Sequence, residues 1–350
     1  MSLERLWHKS YAPGVPTEFE PEKITMAERL SQVAAKYPDR VAFVYMGKKI
    51  TYREYEGLVN RFARALADLG VKEGDKVAML LPNIPQMVIA NHAVYRLGAV
   101  TAMNNPLYTE RELAHQLDDS DATMLVTLDL LLPRALKLKA ETKIRTIITC
   151  HISDYLPFPK KQLFPYVKKA MFRKVEPQPG VYQFMDLIGK YPDTPVENKA
   201  RWDALAALIY TGGTTGVSKG AMLTHANISS VVQQFSAWFP DLKDTYENLL
   251  GIYPIFHSAG YSVGQNLPIW NGWCCTLVPK PEPGAIVEML SKFKPTFLPG
   301  VPTIYTGLLR NEKFRKMNLS FVKGYFGGAA PLPEDTLSQL RQLHGAIIYD

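Results

Sequence analysis

Residues 210–220 read YTGGTTGVSKG, a run whose residue types suit a polyanion. Gly212, Gly213 and Gly216 leave the backbone free to curl and let N–H groups approach an anion closely. Thr211, Thr214, Thr215 and Ser218 add hydroxyls, and Lys219 adds a positive charge. Those are the parts needed to hold a polyphosphate. The run is not a Walker A loop, because Gly220 rather than Ser or Thr follows Lys219. Nor is it GxGxxG. A flexible turn is the bland reading of any short Gly/Thr/Ser stretch. An apolar run, 204–211, leads into the loop as a strand, and a helix is expected after it.

Other segments carry candidate site residues. His257 lies in YPIFHSAG, 253–260, with Tyr261 next in line. Alone, His257 reads more readily as a packed or surface histidine, and Tyr261 equally well as a core aromatic. In YFGGAAPLP, 325–333, Gly327, Gly328 and Ala329 would let a flat ring come close, although a tight strand-to-helix turn also explains the glycines. Residues 155–176 interleave aromatic and aliphatic side chains with lysines, which suits either an anionic membrane surface or a solvated basic face.

These residues need a scaffold, and the chain supplies one. Strands are predicted at 77–82, 99–104, 122–127, 145–150, 204–211, 249–256, 274–279, 296–301 and 322–328. Helices are predicted at 84–97, with Pro85 in the first turn, and at 109–118, opened by the T-x-x-E cap of Thr109 and Glu112. More helices fall near 226–238, 284–293, 302–310 and 334–343. Such alternation predicts an α/β fold of parallel-rich sheets covered by helices on both faces. The proline- and lysine-rich stretch 151–199 reads as a boundary, giving a first α/β subdomain at 1–195 and a second at 196–350. GAIIYD stops inside an apparent strand, so a truncated sequence is expected.

With 350 residues, 47% hydrophobic and 21% charged, the chain can bury one large core or two ordinary ones. Cys150, Cys274 and Cys275 have no metal-ligand spacing, which suits a reducing cytosol. No apolar run reaches the roughly 20 residues of a membrane span, and residues 1–16 lack a signal-peptide pattern. The net charge of +7 is modest and settles no partner. No recognition module accompanies it, so nucleic acid is not expected.

YTGGTTGVSKG resembles the signature loop of the adenylate-forming superfamily of acyl-CoA synthetases, luciferases and peptide-synthetase adenylation domains. The usual form is Y-T-S-G-T-T-G-x-P-K-G; here Gly212 stands for the serine and Ser218 for the proline. Segments 37–44, 50–83 and 99–127 resemble long-chain fatty-acid–CoA ligases in particular, and 155–176 resembles an insertion seen in bacterial-type members. The resemblance implies a layered αβαβα N-terminal domain, cut before the small C-terminal domain. It implies that Thr211, Gly212, Gly213, Thr214, Thr215, Gly216 and Lys219 hold ATP phosphates, with Thr211 also at the metal. Gly327, Gly328, Ala329, Ala330 and Pro331 would lie against adenine and the acyl group, and His257 and Tyr261 would line the acyl pocket.

The activity implied is ATP-dependent conversion of a long-chain fatty acid to acyl-AMP and then acyl-CoA, with Mg²⁺ and coenzyme A. Medium-chain or aryl acids, or a non-catalytic nucleotide or acyl binder, remain alternatives. The family's acidic and lysine catalytic residues would fall beyond Asp350, so the 350-residue piece is expected to be inactive. A cytoplasmic protein is expected; peripheral contact with the inner face of the membrane stays open beside a solvated basic face, as does a homodimer.

Overall fold

The computed structural model describes residues 5–212, 217–345 and 347–349. Its strands are β1 (Val41–Tyr45), β2 (Lys48–Thr51), β3 (Lys76–Leu80), β4 (Val100–Met103), β5 (Met124–Leu128), β6 (Thr146–Cys150) and β7 (Val181–Gln183). They continue as β8 (Leu205–Thr211), β9 (Lys219–Thr224), β10 (Asn248–Gly251), β11 (Cys274–Leu277), β12 (Phe297–Pro299), β13 (Gly324–Phe326) and β14 (Ile348–Tyr349). The helices that matter below are α1 (Met26–Lys36), α2 (Tyr52–Asp68), α3 (Pro85–Arg96), α4 (Glu110–Asp119), α5 (Leu132–Glu141), α6 (Lys160–Val167), α7 (Phe184–Lys190) and α8 (His225–Ala237).

Two sheets form. One runs β7-β6-β5-β3-β4-β8-β9 and the other β14-β13-β12-β10-β11-β1-β2. Pairing is parallel except for β8 with β9 and β1 with β2. Central strands such as β4 and β5 are buried at every residue, as parallel strands covered on both faces must be. Three apolar clusters give the layering. The largest joins both sheets to α1, α2, α3 and α8 between them. A second seals the outer face of the first sheet with α4 and α5, and a third seals the other sheet with helices 283–293, 302–309 and 334–344. The result is the αβαβα stack, with the functional loops at its strand ends.

The sheets do not divide at 195/196. β8 and β9 extend the first sheet, whereas β1 and β2 join the second through the β1–β11 pair. The stretch expected to be a boundary is structured: β7 pairs with β6, and α7 packs on α2, where Phe184 and Phe62 meet at 4.3 Å between ring centroids. The helix expected directly after the glycine loop is also displaced. β9 comes first and pairs antiparallel with β8 in register Thr211 to Lys219, so the loop is flanked by a strand on each side. α8 follows only after that, opened by the capping box of Thr224 and Asn227.

The middle layer buries both charge and polarity, and a buried charge there has to be paired. In α3 every residue is buried. Its Arg96 meets both oxygens of Glu56 at 2.7 and 3.0 Å and donates to Ser31 Oγ at 3.0 Å, which pins α3 to α1 and α2. His92 and His225 are fully buried, and both ring nitrogens of His225 lack a hydrogen-bond partner. Burial lowers their pKa values, to about 3 for His92 and about 4 for His225. Below the ordinary pKa of 6.5, the unfolded chain therefore binds protons that the folded chain refuses. The stability these neutral rings allow is complete above about pH 6.5 and is lost as pH falls towards 4. Each contributes a slope of up to about 1.4 kcal/mol per pH unit in that window. Urea unfolding between pH 4.5 and 7.5 tests this, since His225→Leu should flatten the profile by about that slope. Identical pH profiles for the two proteins would refute the buried neutral ring.

Candidate functional site

Parallel strands expose unpaired backbone and loops at their carboxyl ends, where ligands bind in open α/β sheets. Thr211 ends β8 there, in the first sheet. Thr211, Gly212 and Lys219 are exposed, and Thr211 Oγ1 donates to Lys219 O across the hairpin at 3.5 Å. Gly213, Thr214, Thr215 and Gly216 lie outside the described residues. α4 fixes the base of the hairpin. Tyr210 donates from its hydroxyl to Asp119 Oδ2 at 2.7 Å and Gln116 O at 3.0 Å, and Gln116 Nε2 donates to Ser218 Oγ at 3.1 Å. His115 Nε2–H donates to Ser218 O at 3.1 Å. Ser218, standing where the family usually has proline, is thus held by side chains. A Cβ on Gly212 would meet nothing within 4 Å, so packing does not demand glycine there.

The second sheet contributes two neighbouring segments. After β10 the chain turns through 252–259, and Asn83, beyond the end of β3, clamps that turn. Asn83 Nδ2 donates to Gly251 O at 3.0 Å and Tyr253 O at 2.8 Å, while Asn83 Oδ1 accepts from Ile255 N–H at 2.9 Å. His257 is exposed on this turn, and its carbonyl accepts from Tyr261 N–H at 2.8 Å. Gly260 closes the turn so tightly that a Cβ would lie 2.0 Å from Pro254 O. Tyr261 is fully buried at the start of the π-helical turn Gly260–Asn266, hydroxyl to hydroxyl with Tyr95 and 3.4 Å from Thr101 Oγ1.

β13 leads into the other segment. Tyr253 donates to Gly300 O at 3.0 Å, Tyr305 donates to Phe326 O at 2.8 Å, and Gly327 N–H donates to Tyr349 O at 2.7 Å. A Cβ on Gly328 would come within 3.2 Å of the Tyr253 hydroxyl, so the His257 turn and the 327–331 turn are packed together. Ala329 takes a positive φ of 67°, a sparsely used conformation for alanine, and Ala329, Ala330 and Pro331 are exposed. Among the described residues, no hydrogen bond or ion pair joins Thr211 or Lys219 to 327–331. None of the residues named from the sequence lines the cavity of about 650 Å³ between α1, the end of α8 and Trp270–Trp273.

Sequence reasoning missed Asn83, Gln116 and His115. The one readable signal is Asn83 itself, directly after a strand and a proline, where a side chain commonly bonds to nearby backbone. For a metal, the described residues hold no group of three or more His, Cys, Asp or Glu that could bind one. Thr211 offers a single exposed hydroxyl oxygen, which fits Mg²⁺ as one ligand, because Mg²⁺ usually keeps waters and phosphate oxygens for the rest.

Two sets of variants test this geometry. Asn83→Ala removes three hydrogen bonds from a buried site and should cost about 3 kcal/mol. It should also raise amide exchange at Ile255 ahead of the rest of the second sheet; unchanged exchange there would show that the turn stands without the clamp. Gly260→Ala should destabilise by at least about 3 kcal/mol, whereas Gly212→Ser should stay within about 0.5 kcal/mol of the parent in urea melts. Equal effects would contradict the assigned spacing.

Residues 30–350 match the family described as AMP-binding enzyme. A long-chain-fatty-acid–CoA ligase of Bacillus subtilis (strain 168) is 36% identical over 349 residues, covering 99% of this chain and 62% of the relative. A crystal structure of a long-chain-fatty-acid-CoA ligase from Archaeoglobus fulgidus aligns with a TM-score of 0.79 at 24% identity, over 95% of this chain and 63% of that one. ATP-bound MatB from Rhodopseudomonas palustris aligns with a TM-score of 0.75 at 25% identity, over 92% and 58%. The chain thus spans about three-fifths of the length of the relatives it matches. With nearly all of its length inside the family match, the chain belongs to the AMP-binding, adenylate-forming enzymes.

Proposed function

We propose that the full-length protein is a long-chain-fatty-acid–CoA ligase. The observation that carries this is the match over 99% of the chain to a relative of that name. The geometry supports it, since Asn83 joins the carboxyl ends of the two sheets and brings a turn bearing an exposed histidine to that edge. In this reading a fatty-acid carboxylate oxygen attacks the α-phosphorus of ATP, and pyrophosphate leaves with the electrons of the broken P–O bond. The thiol of coenzyme A then attacks the acyl carbonyl, losing its proton, and AMP leaves. Carboxylates are weak nucleophiles and the phosphates repel them, so catalysis rests on positioning and charge neutralisation.

Lys219 and the glycine loop, including Gly212, Gly213, Thr214, Thr215 and Gly216, would hold the β- and γ-phosphates. Thr211 would give one oxygen to Mg²⁺, which when bound neutralises phosphate charge. Gly327, Gly328, Ala329, Ala330 and Pro331 would face adenine and the acyl group, and His257 the acyl end. Tyr261 would act as a gate only if its contact with Tyr95 parts. We expect the ligase in the cytoplasm, at the inner face of the membrane, with a homodimer as its assembly.

Pyrophosphate release by the full-length protein, with saturated acids of increasing length and one aryl acid, tests the reading. Release should favour the long acids, and Lys219→Met should lower it by about 100-fold. The 350-residue chain should release far less than the full-length protein, given that its relatives are longer. A preference for the aryl acid would move the assignment to another acid, and no release with any acid would leave a non-catalytic binder.

A further inference from the structure

α6 is apolar on two sides. Phe164 points inward and is buried. Leu163, Tyr166 and Val167, at i, i+3 and i+4, share an adjoining face and are 51%, 75% and 70% exposed. Phe158, just before the helix, is 83% exposed, and Met171, just after it, is also open. A helix with an exposed apolar face beside lysines suits the boundary of an apolar phase. Five large apolar side chains on one short stretch are also more than scattered surface residues explain.

The stretch is held in place. Tyr155 and Leu156 are buried before the helix. After it, Phe172 stacks on His151 at 4.6 Å between ring centroids, and Arg173 N–H donates at 2.6 Å to Asp129, a fully buried carboxylate. The exposed face is therefore fixed by its neighbours, which lowers the ordering cost of any contact it makes.

The charge around this face selects the occupant. Residues 155–174 contain Lys160, Lys161, Lys168, Lys169, Arg173 and Lys174, and no aspartate or glutamate. Among the described residues only Lys174 of these is in an ion pair, with Glu176. A second copy meeting this face through a two-fold axis would set six cations against six. A nucleic acid would use the cations but gain nothing from Leu163 and Val167. An anionic lipid surface uses both, with the aromatic and aliphatic side chains at the acyl boundary and the lysines among the headgroups.

We propose that α6 and its flanks, 158–171, form a fixed docking surface for an anionic lipid bilayer, entered by Phe158, Leu163, Tyr166 and Val167. No helix among the described residues is long and apolar enough to cross a membrane, so the contact would be peripheral. Vesicle flotation of the full-length protein tests this without turnover, so its outcome is separate from that of the ligase reading. The protein should float with phosphatidylglycerol-containing phosphatidylcholine vesicles and not with phosphatidylcholine alone. Salt at about 1 M, where screening acts within about 3 Å, should weaken it.

Lys168→Glu with Lys169→Glu, and separately Tyr166→Ser with Val167→Ser, should each lower partitioning by at least about tenfold. Melting curves should be unchanged, because these side chains are exposed. Equal flotation with both vesicle types, none with either, or no effect of the variants would overturn the proposal. So would a dimer in light scattering that the serine variant converts to monomer, which would give the face to a second copy.

Discussion

The candidate site depends on one buried amide. Asn83 satisfies two carbonyls and one N–H of the 251–255 turn, so the carboxyl end of the first sheet holds the chain leaving the second. Two stacked sheets with helices between them have no backbone pairing across the gap. A side chain must set their relative position at the edge where ligands bind, and asparagine can donate and accept at once. Gly260 is the counterpart of that clamp: its missing side chain lets the turn fold back on Pro254. The 327–331 turn then rests on Tyr253, so its position follows from the same clamp.

The interior asks for similar precision. A guanidinium at Arg96 inside the middle layer is tolerable only because Glu56 takes it with both oxygens, and breaking one member of such a pair costs more than never having built it. Glu56 also accepts from Ser31, so α1, α2 and α3 share one polar knot. The neutral His92 and His225 are the opposite case, polar rings buried without charge, which the layer holds neutral at a growing cost in stability as pH falls from about 6.5 towards 4.

Much of this was legible in the sequence where a signal was local. The Thr109–Glu112 cap, Pro85 in the first turn of α3 and the apolar runs of β3 to β6 mark elements to within a residue or two. α2 opens on the same kind of cap, Thr51 with Glu54, and is equally readable. β9 was not, because KGAMLT is short, contains glycine and takes its strand form from pairing with β8. The allocation of β1 and β2 to the later sheet rests on a contact more than two hundred residues away in sequence, which periodicity cannot carry. In the candidate site, the glycine loop stands out by composition and His257 and 327–331 only through the family resemblance, whereas His115 and Gln116 look like ordinary polar positions on a helix face.

The hairpin changes how the glycine loop would hold phosphate. A loop that opens directly into a helix borrows that helix's positive end. Here α8 begins at the far end of β9, beside the start of β8, as the pairing of Leu205 with Thr224 shows. The strand from Lys219 to Thr224 carries the chain about 17 Å to the N-terminus of α8, well beyond the first turn over which a helix end acts. In the proposed reading, a polyphosphate at the glycine loop would be met by that loop and Lys219 without the help of α8. With the start of α8 out of reach, the setting of Ser218 and Lys219 matters more. The clamp of Ser218 by His115 and Gln116, and of Tyr210 by Asp119, takes on the positioning that a helix start would otherwise give.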